Sequence, residues 1–600
     1  MGEGLVRKGS DRVQLFANAG RTGLLRMRGV PTREARGVVL LVSLICLVWI
    51  VAGLIGHDPW KPDEAYSFGL VLSVLEGRDW VVPMLAHEPF MEKPPIYYLT
   101  AAVTAKVFGG VLPLHDAARL ATGFYMALTF ILVGLTGREL FGVGRGWIPT
   151  LIFVGCAGLP LYGHLLLTDI AQITGFALAL YGLALGQRCP HWGGVWLGSG
   201  VGVAFMSKGL LAPGCFGVLV TLLPLLSPRW RTRSFVQSLV AAFLAGLPWL
   251  VIWPLMLYQR SPDLFMVWLG DNNLGRFLGS NNLGPASSPF GLLRTVAWAA
   301  LPAWPLALSA VWSARRELTS RPELLLPLAL FAVILLTLSV SRQGRDLYAL
   351  PMLVPLSLLA VPGLLALKGI SLRATSAFAM AFFLVLGVVV WFYWAALELS
   401  VAGTLHEHLV QLRPTYAPAL HLSTLAIALV VTASWLYVVL RFPENTERPA
   451  VLWASGVTMV WSLVAVMFMR YADVGNSYRP MVAELRAQLP AGYRCVASDN
   501  LGEPQRAMLH YFAGLLTYRY EQDARQVHPC DVLLVQGFRS GIHEPGGNWV
   551  EIWEGGRPGD RVELYKLYRW SDSIGTSRTS AARTGPSGWQ GRKQNRGHPR

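Results

Sequence analysis

Acidic and basic side chains are concentrated in one long polar segment, residues 57–94, which follows the first apolar run of the chain. Asp63 and Glu64 stand together near its start, and Glu92 and Lys93 stand together near its end. A carboxylate can act as a general base toward a hydroxyl group, and an ammonium group can bind a phosphate anion. Length and aromatic residues make the segment typical of a binding loop, although solvated surface charge is the alternative interpretation.

Further charged residues stand at the ends of later apolar runs. Asp169 begins one run and Lys208 follows the next. An ionisable residue at the membrane edge is costly and usually functional. A helix cap is the alternative role for Asp169, but Thr168 could equally be the cap and would then leave Asp169 free. Later loops add three arginines that could bind phosphate or lipid headgroups: Arg276, Arg342 and Arg345.

The elements that must position these residues are apolar runs of about 20 residues, each long enough to cross a bilayer core of about 30 Å. The chain is 53% hydrophobic and 14% charged, whereas soluble domains are about 25% charged. Because backbone groups in lipid need internal partners, the runs predict helices. We expect about 13 transmembrane helices, at residues 38–56, 118–136, 147–163, 168–186, 192–206, 209–227, 235–256, 291–313, 323–340, 347–367, 374–397, 418–440 and 450–468.

The net charge of +16 lies mainly in the N-terminal arm, the C-terminal tail and short loops, which indicates membrane topology and not nucleic-acid binding. The positive-inside rule places the N-terminus in the cytoplasm and segment 57–94 outside. If residues 95–111 also crossed the membrane, every later loop would change sides and violate the rule. We therefore expect this stretch to be an interfacial amphipathic helix on the outer face, with Lys106 snorkelling.

The expected organisation has four parts. Residues 1–37 form a basic cytoplasmic arm, and residues 38–468 form a transmembrane domain with an outer loop at 57–117. Residues 469–570 turn polar and predict a small extracytoplasmic α/β domain. Residues 571–600 are rich in Ser, Gly, Arg and Pro and predict a disordered basic tail. The fold class is thus an all-α polytopic membrane protein with a small C-terminal α/β domain.

Local patterns predict short elements outside the transmembrane domain. Residues 63–77, 476–489 and 503–514 read as amphipathic helices, and residues 494–499, 531–537 and 562–569 read as strands. Cys495 and Cys530 both fall in the C-terminal domain. They could form a disulfide in an oxidising compartment, although sequence alone does not determine pairing.

Several motifs occur in order along residues 38 to about 368: DEAY, GRDWVVP and EKPPIYYL in the first loop, then LLLTDIAQ, FMSKGLLAP, GLPWLVIW, NNLGRFLG and SRQGRDLYALPMLVPLSLL. In this order they resemble the GT-C glycosyltransferases, the superfamily of aminoarabinose transferases and protein mannosyltransferases. The chain most resembles the bacterial aminoarabinose (lipid A) transferase branch. The resemblance implies a GT-C-like fold and a membrane glycosyltransferase of the cell envelope.

The resemblance also implies partners and roles. The donor would be a polyprenyl-phosphate-linked sugar, and the acceptor would be lipid A, another glycolipid, a cell-wall polymer or a protein. Asp63 would be the general base, Asp169 would position donor or acceptor, and Glu64 would orient its neighbours. The donor phosphate would be held by Lys93, Lys208, Arg276, Arg345 and Tyr348.

A cofactor is not firmly implied. Glu92 would orient its neighbours or help to bind a divalent metal. Relatives often carry a histidine where this chain has Asn273, and that histidine helps to hold a metal or the lipid phosphate. Its absence argues against a metal site here.

Two other function classes compete with the enzyme. A transporter or flippase for a lipid-linked saccharide also needs many helices, but it usually carries ionisable residues near mid-membrane and paired repeats. A non-catalytic membrane scaffold would leave the ordered charged motifs unexplained. The expected location is the inner (plasma) membrane, with the C-terminal domain on the extracytoplasmic side.

Overall fold

The computed structural model describes residues 33–280, 289–520 and 530–571. The predicted basic arm up to residue 32 and the predicted tail from residue 572 lie outside these ranges. The chain divides into two compact units. One unit contains residues up to 483 together with 502–516 and 557–560, and the other contains the remaining stretches from residue 484 onward.

Helices dominate the described residues. The first eleven are α1 Arg33–Val51, α2 Asp63–Leu75, α3 Ile96–Phe108, α4 Leu114–Phe141, α5 Trp147–Val154, α6 Leu159–Tyr162, α7 Thr168–Gly186, α8 Pro190–Lys208, α9 Leu211–Leu226, α10 Arg233–Arg260 and α11 Pro262–Met266. The others are α12 Arg276–Leu278, α13 Pro289–Ala299, α14 Ala303–Ser313, α15 Pro322–Val340, α16 Leu350–Leu365, α17 Gly369–Glu398, α18 Gly403–Leu412, α19 Leu422–Arg441, α20 Arg448–Asn476, α21 Arg479–Ala487 and α22 Glu503–Ala513. A π-helical stretch occupies Val267–Gly275, and 3-10 turns lie at Pro228–Trp230, Leu318–Ser320 and Asp346–Ala349.

Within the described ranges, eight helices are long and apolar enough to cross a membrane, and a bent pair would add a ninth. A mostly helical polytopic protein is therefore confirmed, but the count of about 13 spans is not. Two predicted spans are interrupted: run 147–163 breaks into α5 and α6, and run 291–313 bends by 102° between α13 and α14. Pro302 lies at that bend, where proline removes a helical hydrogen-bond donor.

The helix predicted at 95–111 is present as α3. Its 13 residues give a length of about 20 Å, which is shorter than a bilayer core of about 30 Å. Tyr97, Tyr98 and Ala101 are buried on one face, and Lys106 is exposed. The helix is confirmed, but its exposed face also carries apolar side chains, Val103, Val107 and Phe108. Its amphipathic character and its place on the outer membrane surface stay predictions.

Helix α2, which begins at Asp63, differs from the predicted amphipathic helix because it is buried on nearly every side. Helix α22, from much later in the chain, belongs to the same unit and packs against it. A Cβ atom on Gly69 would lie only 2.6 Å from the Cβ of Ala507, so the two helices touch closely. Arg506, whose side chain is 1% exposed, pairs with Glu88 beside this contact. The two acids at the start of α2, Asp63 and Glu64, are therefore held by protein partners and not by solvent.

The second unit contains a five-stranded sheet in the order β4-β3-β5-β7-β6. Strands β3 Val496–Asp499, β5 Val532–Phe538 and β7 Glu563–Trp570 confirm the three predicted strands, whereas β4 Thr517–Arg519 and β6 Trp549–Gly555 were not predicted. Strand β3 pairs in parallel with β4 and β5, and β7 pairs antiparallel with β5 and β6. A small two-stranded hairpin, β1 Met84–Leu85 with β2 Glu88–Pro89, lies in the first unit.

Cys495 and Cys530 form a disulfide, with their Cα atoms 4.7 Å apart. The pairing anticipated from the two polar-region cysteines is therefore observed. Domain limits are less simple than the predicted boundary at 469. Helix α20 continues to Asn476, and residues 502–516 belong to the helical unit. That boundary stays a prediction.

Candidate active site

The helical unit contains a cavity of about 480 Å³ whose wall combines charged groups with apolar ones. The end of the long outer loop, the end of α8, the start of α12 and the turn before α16 all contribute to it. The charged and aromatic polar side chains on the wall are Glu92, Lys93, Lys208, Arg276, Arg345 and Tyr348. These residues are far apart in sequence, so the cavity exists only in the folded chain.

Asp63 forms a two-pronged ion pair with Arg345 at this cavity. The Nη1 atom of Arg345 donates to Oδ1 of Asp63 at 2.6 Å, and Nη2 donates to Oδ2. Arg345 remains 35% exposed at the side chain, whereas Asp63 is only 11% exposed. The guanidinium thus stands between the carboxylate and the cavity, and its fork geometry suits either a carboxylate or a phosphate.

Tyr66 joins Asp63 to Lys93. Its hydroxyl donates to Oδ1 of Asp63 at 2.8 Å and accepts from Nζ of Lys93 at 2.7 Å. Asp63 and Tyr66 are three residues apart on α2, which places both side chains on one face of the helix. Burial and the negative charges of Glu92 and Asp63 raise the pKa of the Tyr66 hydroxyl well above its ordinary value. Tyr66 therefore stays protonated and acts as a hydrogen-bond donor to Asp63.

The charge state of Asp63 follows from two opposing influences. Burial raises the pKa of its carboxyl group, but hydrogen bonds from Arg345 and the charge of Lys93 outweigh burial, and the pKa lies below its ordinary value. Asp63 is therefore ionised at neutral pH. While Arg345 binds both carboxylate oxygens of Asp63, the Asp63 carboxylate is a weak base. A ligand that attracts Arg345 away would raise the basicity of Asp63.

Asp169, in the first turn of α7, forms an ion pair with Lys208, in the last turn of α8. The alternative role of Asp169 as a helix cap is wrong, because the N-cap position is Leu167 and no side chain caps it. The ammonium group of Lys208 also lies 4.0 Å from the centre of the Tyr348 ring. An aromatic face attracts a cation, so these two contacts fix the direction of Lys208 at the cavity wall.

Glu92 accepts a hydrogen bond from Arg276, and its Oε2 atom lies 4.0 Å from Nζ of Lys93. The positive charges of Arg276 and Lys93 thus lie beside the Glu92 carboxylate, where a bound metal ion would have to lie. Asn273 does not supply a second ligand, because both ends of its side-chain amide already have partners. The oxygen accepts from the backbone N–H of Leu210 at 3.2 Å, and the nitrogen donates to the backbone carbonyl of Trp268 at 2.7 Å. Within the described ranges, no cluster of three His, Cys, Asp or Glu residues is arranged to hold a metal ion. The residues around Glu92 therefore do not fit a metal.

Asn273 instead holds the turn that follows Lys208. Gly209 has a φ of +84°, and a Cβ atom there would lie 2.2 Å from Oδ1 of Asn273. Only glycine combines this left-handed conformation with so close an approach. The amide of Asn273 thus ties the loop that carries Arg276 to the end of α8.

Glu64 faces away from the cavity. Its Oε1 atom accepts from Nε of Arg119 at 2.6 Å and from the backbone of Leu166 at 3.2 Å, and Oε2 accepts from the backbone of Trp60 at 3.1 Å. Arg119 is fully buried and also pairs with Asp116. Both carboxylate oxygens of Glu64 accept hydrogen bonds, and its side chain is 1% exposed. These buried contacts are typical of a residue that holds a helix, here α2, in position. The neighbouring Asp63 depends on that position.

We expect Glu64→Gln to lower stability by about 3 kcal/mol, because it leaves the buried charge of Arg119 only partly compensated. The measurement is thermal unfolding of the detergent-solubilised protein. Glu317→Gln is the control: Glu317 pairs with Arg321 at the surface, where its side chain is 69% exposed, and such pairs contribute less than about 1 kcal/mol. Unchanged stability together with lost transfer would contradict this role and favour a direct catalytic role for Glu64.

Six residues nominated from sequence lie on the cavity wall, namely Glu92, Lys93, Lys208, Arg276, Arg345 and Tyr348. Asp63 and Asp169 are joined to them by ion pairs with Arg345 and Lys208, and two nominated residues lie elsewhere. Glu64 lies in the buried network instead, and Arg342 is not on the cavity wall. Sequence reasoning missed Tyr66, although it is part of the DEAY motif. It also missed Gln172, which lines the cavity one turn after Asp169. The helical spacing of these two residues from the nominated acids was the available signal.

Tyr98 was also missed. It is fully buried on α3, and burial together with the charges of Glu92, Asp63 and Asp169 raises the pKa of its hydroxyl well above the ordinary value. It therefore stays neutral among three carboxylates. The only sequence signal for it was its place in the EKPPIYYL motif.

Comparisons of the sequence and of the fold with known proteins point to the same group of proteins. No protein-family model matches the chain. The chain is 28% identical over 335 residues to the undecaprenyl phosphate-alpha-4-amino-4-deoxy-L-arabinose arabinosyl transferase of Serratia proteamaculans (strain 568), which covers 54% of this chain and 58% of that relative. It is 25% identical over 489 residues, 78% of this chain and 84% of the relative, to the enzyme of the same name in Pseudomonas savastanoi pv. phaseolicola (strain 1448A / Race 6). The chain thus spans little more than half the length of the Serratia relative.

The fold matches a solved structure over most of both chains. ArnT from Cupriavidus metallidurans bound to undecaprenyl phosphate superposes with a TM-score of 0.65 at 16% identity, over 88% of this chain and 97% of that one. Its apo state gives a TM-score of 0.64 at 15% identity. In sequence and in fold, the chain is similar to the undecaprenyl phosphate-aminoarabinose arabinosyl transferases, and the resemblance expected from its motifs is confirmed.

Proposed function

We propose that the chain is a membrane glycosyltransferase of the GT-C type that transfers a sugar from a polyprenyl-phosphate donor to an extracytoplasmic acceptor. The observation that carries this proposal is the pairing of Asp63 with Arg345 at a cavity that also holds Lys93, Lys208 and Arg276. A base and a set of phosphate-binding cations are the two groups that such a transfer needs. The relatives are named for undecaprenyl phosphate-linked sugar transfer.

Charge and shape support a donor with one phosphate and a lipid tail. Lys93, Arg276 and Arg345 are directed at the cavity, and each could give a charge-assisted hydrogen bond to a phosphate oxygen. The rest of the wall is largely apolar, as a polyprenyl chain requires. Its apolar side chains are Leu210, Leu211, Leu274, Phe277, Leu338 and Leu347.

In the proposed reaction, Arg345 exchanges one partner, Asp63, for another, the donor phosphate. Donor phosphate attracts Arg345, which leaves Asp63 more basic. Asp63 then takes the proton from the acceptor hydroxyl or phosphate group while the acceptor oxygen bonds to the anomeric carbon of the sugar. The bond between that carbon and the phosphate oxygen breaks, and the electron pair leaves with the lipid phosphate. Lys93, Arg276 and Arg345 stabilise that leaving anion.

A transporter or flippase is less consistent with this geometry. Three of the paired charged residues lie at the ends of helices: Asp63 begins α2, Asp169 lies in the first turn of α7, and Lys208 lies in the last turn of α8. Transport sites usually lie at mid-membrane between broken, repeated helices. The acceptor class stays open among lipid A, other glycolipids, cell-wall polymers and proteins.

Transfer itself is the test of the proposal. Purified protein in detergent is incubated with labelled undecaprenyl-phosphate sugars and with lipid A, glycolipid, polymer or peptide acceptors. Release of sugar-free lipid phosphate with matching gain of label in an acceptor supports the enzyme. Reconstituted vesicles provide the second arm, because movement of the labelled donor between leaflets without transfer would favour the flippase.

We further propose location in the inner membrane, with the N-terminus in the cytoplasm and the C-terminal domain outside. The positive-inside bias of the loops supports it. Single cysteines engineered at exposed positions in residues 76–80 and 539–546 are then expected to react with an impermeant maleimide from the same, outer side. Labelling of the two regions from opposite sides would contradict this topology.

A further inference from the structure

Gln172 is a polar residue in the wall of the cavity whose amide has no assigned task. It lies on α7, one helical turn after Asp169, and is 1% exposed. Its side-chain nitrogen makes no hydrogen bond to any residue that the structure describes. A buried amide without a partner is destabilising. Buried polar groups nearly always have partners, so an exception in a cavity wall calls for one supplied from outside the chain.

Three cations on the same wall are already paired with carboxylates. Lys208 binds Asp169, Arg276 binds Glu92, and Arg345 binds Asp63. The amide of Gln172 is therefore not needed to satisfy these charges. It differs from them in being neutral and in offering a hydrogen-bond donor and an acceptor together.

We infer that the amide of Gln172 binds a hydroxyl group of the donor sugar and makes the site selective for sugars that carry that hydroxyl. This inference rests on the proposed function of the same cavity. A hydroxyl group both donates and accepts, and so matches an amide on both of its atoms. A phosphodiester only accepts, and several cations already stand ready for it.

Selectivity follows from the burial of the amide. A site built to hydrogen-bond a substrate hydroxyl rejects an analogue without it, because the buried polar group is then left unpaired. A sugar that carries the matching hydroxyl gives the amide a partner, whereas a deoxy sugar leaves the amide unpaired.

The test combines a substitution with a change of ligand. Gln172→Leu keeps the side-chain volume and removes the amide. Gln187→Leu is the matched control, since Gln187 is exposed at the other end of α7. Binding of sugar-free undecaprenyl phosphate is measured first, and kcat and KM are then measured with undecaprenyl-phosphate sugars and their single-deoxy analogues. Thermal unfolding monitors folding, and Gln172→Asn provides a second variant that keeps a shorter amide.

We expect Gln172→Leu to bind sugar-free undecaprenyl phosphate as the unmodified chain does. Its kcat/KM for the intact donor should fall by about tenfold, the equivalent of one hydrogen bond. For one deoxy donor the fall should vanish, because neither partner of that bond is then present. Gln172→Asn should recover part of the preference for the intact sugar.

Two results would overturn the inference, and they differ from each other. Equal loss of affinity for sugar-free and sugar-bearing lipid phosphate would assign Gln172 to the phosphate. Equal loss for the intact donor and every deoxy donor would assign it to packing. If the unmodified chain bound neither lipid, the proposed function itself would fail, and this inference with it.

Discussion

Asp63→Asn is expected to abolish sugar transfer while leaving folding and membrane insertion intact. A general base contributes roughly a hundredfold to ten-thousandfold in rate. Asparagine keeps the shape of the side chain and one acceptor for Arg345, but it has no basicity. Arg345 is 35% exposed at the side chain, so water can solvate the charge that loses its partner. The loss should therefore appear in kcat and not in protein yield.

The effect is measured as the initial rate of sugar transfer, with the two proteins compared at matched levels. Asp79→Asn is the control, because Asp79 lies in the same loop and pairs with Arg260 at the surface, where its side chain is 24% exposed. That variant should retain transfer within about twofold, as expected for a surface ion pair. Near-normal transfer by Asp63→Asn would remove the catalytic assignment and leave Asp63 as a structural partner of Arg345.

Arg345→Gln is expected to change both donor use and pH dependence. Loss of a charged hydrogen bond to the donor phosphate costs about 1.5–3 kcal/mol, so kcat/KM should fall by about ten- to a hundredfold. Arg345 also holds the pKa of Asp63 below its ordinary value. Its removal raises that pKa. Because the base is active only when ionised, the acidic limb of the kcat/KM profile should move to higher pH.

Arg345→Lys separates the two effects. Lysine keeps the positive charge, so the acidic limb should stay near its original position. It lacks the planar fork that reaches two oxygens, so KM for the donor should still rise. The measurement is the pH profile of kcat/KM for the three proteins with one donor. An acidic limb that does not move in Arg345→Gln would show that Asp63 is not the group that titrates in catalysis.

Several features were predictable from sequence because they depend on local pattern or on composition. Apolar runs predicted a polytopic helical protein. Alternating strands predicted β3, β5 and β7, and the motif residues Lys93, Lys208 and Arg276, nominated to hold the donor phosphate, line one cavity. Long apolar stretches and period-two patterns have few alternative structures, so little tertiary information is needed to recognise them.

Helix breaks were not predictable in the same way. Run 291–313 is continuous in hydropathy, yet the chain bends by 102° between α13 and α14. Helix α2 was expected to have a solvent face, but Ala507 of α22 covers Gly69 of α2. Whether a polar face meets water or another helix depends on an element that comes more than 400 residues later in the chain, and the local pattern contains no record of it.

The sequence by itself determined that this chain is a membrane protein with charged motifs at the ends of its apolar runs, and it nominated Asp63, Lys93 and Arg345. Only the tertiary structure decided how those charges pair. Adjacent residues Asp63 and Glu64 look equivalent in sequence, yet one faces Arg345 at the cavity and the other faces Arg119 in the interior. Successive residues on a helix point about 100° apart, so their surroundings are set by whichever helices pack on each side.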